Sequence, residues 1–301
     1  MATLGDMIDE VRSNLAGYTM RQDRITYLAN ASGITSSDTS LIIGSSSNLA
    51  KGVIEIDDEL LWIDSFDKTS STLNVIPGFG RGYSNTTAAA HLQYAQVTLS
   101  PTFPRVSIKQ AINDTIDSVY PKLWSIQSTT FTYNPAVTTY ALPSDAEDIF
   151  AVSWQAVGPS KEWIPVRRWR ADGMANSTAF SGSEITISIY DAITAGRTVQ
   201  VWYTSQPARL SANSDNFATI SGLPETSRDI IVYGACYRLL SFVDAGRLNL
   251  TSAESDSADT KIPSYAGVSA SKYIFALYQQ RLQEESAKLL GKYPTKIHYT
   301  R

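Results

Sequence analysis

The chain has 301 residues, of which 43% are hydrophobic and 18% are charged, and its formal net charge is −4. This composition predicts a packed, soluble protein, and the acidic balance argues against a surface that coats nucleic acid. The single cysteine cannot form an internal disulfide, which suits a reducing compartment. No run of about 18 apolar residues predicts a membrane span, and the acidic N-terminus does not fit a signal peptide.

The first predicted element is a helix, because apolar residues recur with the spacing of one helical face: Leu4, Met7, Ile8, Val11 and Leu15. A short amphipathic segment follows Gly17, so residues 1–31 are predicted to form an N-terminal helical arm. Residues 32–102 change to Ser-, Thr- and Gly-rich alternating runs. They predict a first β-module with a hairpin near Asp57–Asp58.

The rest of the chain alternates between helical and β-like segments. The central helix is indicated by Ile108, Ile112 and Ile116 on one face, and Pro121 is expected to end it. The predicted segments are a central helix at 103–126, a second β-module at 127–210, helices at 211–290 and a docking arm at 291–301. The sequence therefore predicts an α+β fold: an α-helical bundle of N-terminal, central and C-terminal helices, with two inserted antiparallel β-modules and an extended C-terminal arm.

The stretch from Ile76 to His91 contains a proline, three glycines and an arginine. It could be a phosphate-binding loop, a catalytic loop that holds His91, or a structural turn. A P-loop needs a lysine after its glycines and a helix behind them, and a dinucleotide fingerprint also needs a long helix. Here the chain returns instead to a strand-like run. We therefore predict the closing turn of a β-module, with Gly82 supplying a special backbone conformation and Thr86 and Thr87 tying the turn through side-chain hydrogen bonds.

Residue types that support catalysis or metal binding are sparse. The two histidines, His91 and His298, lie outside any nucleophile-elbow pattern, so we expect His91 to be structural. Cys236 lies in an apolar helical segment and is predicted to be a buried, inert thiol. One cysteine and two distant histidines cannot form a zinc site. We predict a protein that is not an enzyme and that has no metal and no cofactor.

Two charged clusters leave alternatives open. The first module contains a run of acids, Glu55, Asp57, Asp58, Glu59 and Asp64, which is expected to be a solvated hairpin tip. A carboxylate-based hydrolase using Asp57, Glu59 or Asp64 is the least favoured alternative. The second cluster is basic, and it is a candidate contact for an acidic protein or a nucleic-acid backbone: Arg167, Arg168, Trp169 and Arg170. Arg81 is a further candidate for a partner contact.

The first β-module resembles a module found in structural proteins of tailed bacteriophages. That module has an acidic strand, a turn of the form RG-x-x-x-T-x-A-A-x-H and a closing strand. The residues that carry the resemblance are Glu59, Arg81, Gly82, Thr86, Thr87, Ala88, Ala89, His91 and Val97.

The surrounding helices resemble those of head-to-tail adaptor (connector or neck) proteins of the same viruses, in the segments RVSIKQAINDTIDSVYPKLW and RDIIVYGACYRLL. The resemblance implies a subunit of a homo-oligomeric ring, often twelve-fold, that joins the portal protein to a tail or neck protein. The bundle would surround a channel through which DNA passes with non-specific contact. The chain departs from compact adaptors, which lack one or both β-insertions. The implied portal-docking arm carries Lys292, Tyr293, Pro294, Ile297, Tyr299 and Arg301.

These implications place the protein in the virion at the head-to-tail interface, after synthesis in the host cytoplasm, with no membrane partner. An alternative is a tail- or fibre-associated binding module that recognises a host glycan or a partner protein. Exposed aromatic platforms would then line its sites, and Trp62, Trp154 and Trp202 are the candidates.

Overall fold

A computed structural model describes residues 2–18, 23–45, 47, 49–157, 161–176, 178–180, 184–241 and 266–293. Over these residues the chain forms five α-helices: α1 (Leu4–Ala16), α2 (Arg105–Val119), α3 (Phe217–Ser221), α4 (Arg228–Leu240) and α5 (Ala266–Lys292). The same residues form thirteen strands: β1 (Arg24–Tyr27), β2 (Ser40–Ile42), β3 (Gly52–Ile56), β4 (Glu59–Asp67), β5 (Thr72–Val75), β6 (Gln96–Leu99), β7 (Ser125–Thr132), β8 (Thr139–Ala141), β9 (Asp148–Gln155), β10 (Trp163–Pro165), β11 (Trp169–Asp172), β12 (Thr186–Ile189) and β13 (Thr198–Ser205).

The chain divides into two compact units. The first, called here the N-terminal unit, comprises Gly5–Asp114 and Val232–Ala276. The second, called the C-terminal unit, comprises Met1–Leu4, Thr115–Ile231 and Leu277–Arg301.

An antiparallel six-stranded sheet dominates the N-terminal unit, with the strand order β1-β6-β3-β4-β5-β2. The two end strands approach each other, because Leu28 forms a bridge with Ile43 and the Gly44 amide donates to the Tyr27 carbonyl at 2.9 Å. The sheet therefore curls around a core of its own. This core includes the buried residues Leu28, Leu41, Ile43, Ile54, Ile56, Leu61, Ile63, Leu73 and Val97.

The predicted hairpin near Asp57–Asp58 is confirmed: strands β3 and β4 are joined there and pair in register from Ile56 with Glu59 to Gly52 with Ile63. Asp57 has a φ of 51°, a left-handed conformation that aspartate tolerates better than most side chains. The turn brings the acids of this segment to one end of the sheet.

The C-terminal unit contains a four-stranded antiparallel sheet, β10-β9-β13-β7, and a three-stranded sheet, β11-β12-β8. Alternation along β13 buries Val199, Val201 and Tyr203 on one face. These side chains join a core shared by both sheets, which also contains Leu142, Ile149, Val152, Trp169, Ile187 and Ile189.

The prediction of an α-helical bundle with two inserted β-modules is wrong. Strands and helices account for nearly equal shares of the structure, and the strands form three sheets with large buried cores of their own. The helical signal dominated the sequence because amphipathic spacing is easy to recognise over the 13 residues of α1 and the 15 residues of α2. The two β-regions were predicted, but periodicity within a segment does not show which distant strands pair into sheets with cores of their own.

The prediction of helix after Gly17 is also wrong, because Arg24–Tyr27 is strand β1, paired with Gln96–Leu99. Ile25, Thr26 and Tyr27 are β-branched or aromatic, and such residues favour strands when a partner strand is available. The partner lies far along the chain, so the local pattern alone did not reveal it. The central helix α2 does end at Val119, ahead of Pro121, as expected.

Candidate functional site

A buried carboxylate, Glu59, organises the turn that the sequence singled out. Its side chain is 1% exposed, and its two oxygens accept five N–H groups from the 81–91 segment. The donors are Arg81 Nε at 2.7 Å and Nη2 at 2.9 Å, the Gly82 amide at 2.9 Å, the Ala89 amide at 3.0 Å and His91 Nε2 at 2.8 Å. Burial alone would raise the pKa of Glu59, but these bonds lower it to about 2.

Arg81 is bonded entirely within the module. A guanidinium group has five N–H donors. Two reach Glu59, and the other three reach backbone carbonyls: Nη1 bonds to Thr35 at 2.7 Å and Asp38 at 2.8 Å, and Nη2 bonds to Ala89 at 2.6 Å. Its side chain is 9% exposed. This candidate for a partner contact therefore joins three separate segments of the chain and presents little surface.

His91 is held between two carboxylates. Its side chain is 2% exposed; Nδ1 lies 2.8 Å from Asp57 Oδ2, and Nε2 lies 2.8 Å from Glu59 Oε2. Because each nitrogen faces an anion, both carry a proton, and the ring is an imidazolium. Burial would lower the pKa of His91, but the two carboxylates raise it to about 9. With no unprotonated nitrogen, the ring is unsuited to act as a general base, and its bonds fit the structural role predicted for it.

The turn has the special backbone conformation that was predicted at Gly82. Gly82 has a φ of 62°, and a Cβ atom added there would lie 2.8 Å from the Thr86 carbonyl oxygen. Thr86 ties the turn as expected: its hydroxyl accepts from the Leu60 amide at 3.1 Å and donates to the Tyr83 carbonyl at 2.9 Å. Thr87 is exposed.

Replacing Gly82 with alanine is expected to lower the free energy of unfolding by about 1–3 kcal/mol, because a left-handed residue gains a side chain in an occupied position. Urea-induced unfolding measures the change. Gly173→Ala is the matched control, since an added Cβ there meets no atom within 4 Å. A Gly82→Ala protein as stable as the control would contradict the role of this glycine.

Two further acids of the hairpin, Glu55 and Asp58, are also paired. Glu55, 3% exposed, accepts from Arg12 Nη2 at 2.7 Å and from the Arg105 amide at 2.6 Å. Arg105 in turn bonds to Asp58 at 3.2 Å and Asp9 at 2.9 Å. These acids form a network with helices α1 and α2, which the sequence did not indicate because the arginines lie far from them in the chain.

Within the described ranges, no group of three or more His, Cys, Asp or Glu side chains could hold a metal ion. The Cys236 thiol is buried, and burial raises its pKa to about 12, helped by the charge of Glu10. The prediction of a buried thiol is confirmed, and its raised pKa suppresses thiolate chemistry.

The basic cluster is split between surface and core. Arg167, Arg168 and Arg170 are exposed, and Arg168 bonds to Asp191 at 3.1 Å. Trp169 is 8% exposed and belongs to the core of the C-terminal unit, so this ring does not stand on the surface beside the arginines.

The aromatic residues proposed as binding platforms differ in accessibility. Trp62 packs against Tyr83 with ring centroids 5.1 Å apart, and Trp154 packs against the core of the C-terminal unit. Trp202 is 37% exposed. It lies beside a groove that the sequence did not predict, which is lined by Trp124, Ile126, Trp202, Leu223, Leu289 and Tyr293.

The predicted docking arm is described only at its beginning. Helix α5 continues through Gly291 to Lys292, past the predicted boundary between the helices ending at 290 and the arm beginning at 291. The Tyr293 ring packs edge-on against Phe150, with centroids 5.7 Å apart. Pro294, Ile297, Tyr299, Arg301 and His298 lie outside the described residues.

Among the helices that the structure describes, none is long and apolar enough to cross a membrane.

Comparison with known families identifies the class of protein. A model of phage adaptor proteins matches residues 86–285, about two thirds of the chain, which makes the protein a structural component of a phage virion. The description of that model is SU10 adaptor protein, and the chain belongs to this family. The resemblance to phage adaptors is thereby confirmed, and partners are to be sought among phage head or tail proteins. No curated protein matches the chain.

Proposed function

We propose that this adaptor assembles into a homo-oligomeric ring, which joins the portal to the tail and surrounds the channel through which DNA passes. The observation that carries the proposal is the match to the adaptor family over residues 86–285. The net charge of −4 supports it, since an acidic or neutral subunit lets DNA slide without gripping its phosphates.

The proposed role is structural, with no reaction catalysed. The bonding of the conspicuous polar groups supports this. The Glu59 oxygens, both nitrogens of His91 and the guanidinium of Arg81 are all taken up by bonds within the N-terminal unit. A substrate would have to displace these bonds.

We further propose that the six-stranded sheet is the phage structural module that its sequence resembles. Glu59, Arg81 and His91 are three of the residues that carry the resemblance, and they meet in one buried cluster. If the proteins that contain this module share the cluster, its contacts account for a sequence pattern whose residues lie on separate strands and turns.

The arm that begins near Lys292 is proposed to dock on the portal. We expect the full chain mixed with portal protein to give stacked rings in negative-stain images. A chain lacking residues 294–301 should keep its circular dichroism spectrum and its own ring but lose the stacked complex. A protein that stays monomeric and does not bind portal would refute the ring proposal, and unchanged docking of the truncated chain would refute the role of the arm alone.

A further inference from the structure

We propose that the open edge of strand β7 and the groove beside it bind an extended segment of a partner protein, in which an apolar or aromatic side chain is flanked by carboxylates. The added segment would extend the four-stranded sheet of the C-terminal unit through main-chain hydrogen bonds. The proposal concerns one unit of one subunit, so it does not depend on ring formation.

Strand β7 lies at one edge of the four-stranded sheet. It pairs with β13 over eight residues, and none of the strands in the described ranges pairs with its other side. Proteins usually protect such an edge by making it short or by placing proline or charge on it. The other edges of this unit follow that rule: β8 and β10 have three residues each, and β11 carries Arg170 and Asp172.

The sequence of β7, SIQSTTFT, contains no charged residue, no proline and no glycine. Its positions Gln127, Ser128, Thr130 and Thr132 are exposed. An edge of this length and composition can pair with another strand.

The groove supplies a side-chain pocket on one face of that edge. Its volume is about 470 Å³. Ile126 of β7 and Trp202 of β13 line it; Trp202 pairs with Ser128, on the face opposite that of the buried Val201. Side chains alternate along a strand, so every second residue of an added segment would lie over this groove. The apolar lining favours an apolar or aromatic side chain at the central position.

The charge at the rim of the groove favours carboxylates on either side of the central side chain of the bound segment. Lys288, 64% exposed, and Lys292 lie along it on α5. The groove also contains Glu285, but that carboxylate is 3% exposed and is bonded to Lys288 at 2.6 Å and to Arg281 at 3.2 Å. The rim therefore has an excess of positive charge, which carboxylates of a bound segment would complement.

The chain's own residues 294–301 do not have this chemistry. They follow Tyr293 at the groove, but they contain Lys296 and Arg301 and no acidic side chain. Their charge repeats that of the rim, so they lack the carboxylates that the rim favours.

The test uses a fluorescein-labelled peptide, Ser-Glu-Thr-Phe-Thr-Glu-Ser-Thr, which places phenylalanine between two glutamates on one face of a strand. Fluorescence anisotropy with the full chain should show saturable binding. The double variant Lys288→Glu/Lys292→Glu should weaken it at least about tenfold, a loss of about 1.4 kcal/mol. A peptide N-methylated on alternate amides should not bind, because it cannot complete the strand pairing.

Lys51→Glu is the control, because Lys51 is 68% exposed and belongs to the N-terminal unit; it should bind the peptide as the unaltered chain does. Circular dichroism verifies that each variant is folded. Three outcomes would overturn the proposal: no saturable binding, equal binding by the double variant, or equal binding of the N-methylated peptide. A fourth outcome would also overturn it: if Thr130→Lys dissociates an oligomer of the chain, the edge binds a second copy and not an acidic partner segment.

Discussion

Replacing Glu59 with glutamine is expected to lower the free energy of unfolding by about 3–5 kcal/mol, the typical cost of removing one partner from a buried ion pair. The substitution preserves the size of the side chain but removes the anion that neutralises Arg81 and His91. It also places an amide NH₂ group against donors that need an acceptor. Urea-induced unfolding, followed by circular dichroism and tryptophan fluorescence, measures the loss.

Asp64→Asn is the matched control for this experiment. Asp64 lies on the same strand and undergoes the same chemical change, but its side chain is 57% exposed and its ion-pair contact with Lys51 is 4.0 Å long. Its effect should stay within about 0.5 kcal/mol. Similar effects of the two substitutions would show that the cluster does not stabilise the sheet as its geometry indicates.

The stability of the N-terminal unit is expected to fall at alkaline pH through the titration of His91. The pKa of this ring is raised from 6.5 to about 9 in the folded state by Asp57 and Glu59, against the opposing effect of burial. The folded protein therefore holds a proton that the unfolded chain releases earlier. The contribution is complete below about pH 6.5 and is lost as the pH rises through about 9, with a magnitude of about 3 kcal/mol.

The measurement is the free energy of unfolding between about pH 6 and pH 10, for the unaltered chain and for His91→Gln. The variant has no group to titrate at this position, so its stability should change less over the range. At the acidic end the sign reverses: the pKa of Glu59 is lowered from 4.5 to about 2, so its contribution is lost as the pH falls from about 4.5 towards 2. Equal alkaline slopes for the two proteins would contradict the assignment to His91.

Local features of the N-terminal unit could be predicted from the sequence. The helix from Leu4, the hairpin at Asp57–Asp58 and the glycine turn at Gly82 depend on residues close to one another in the chain. The architecture could not be predicted in this way. Strand β1 is placed by its pairing with β6, some seventy residues later, and short-range periodicity contains no information about such a partner.

The cluster itself was only partly foreseen. The sequence indicated that His91 was structural and that Thr86 tied the turn, but it treated the nearby acids as solvated. Glu59 was instead found buried, because β4 places its first residue directly against the 81–91 segment. The groove beside β7 also escaped prediction, since Trp124 and Trp202 meet only after strands and helix ends from separate segments come together.

The position of β6 within its sheet limits how the chain can be shortened. The family match begins at residue 86, between β5 and β6, and β6 pairs with β1 on one side and β3 on the other. A fragment trimmed to the matched region would retain one strand of six and expose its apolar residues Val97 and Leu99. Expression of an isolated sheet should therefore begin before Arg24 and extend past Leu99, because a cut at the family boundary would leave β6 as an aggregation-prone strand.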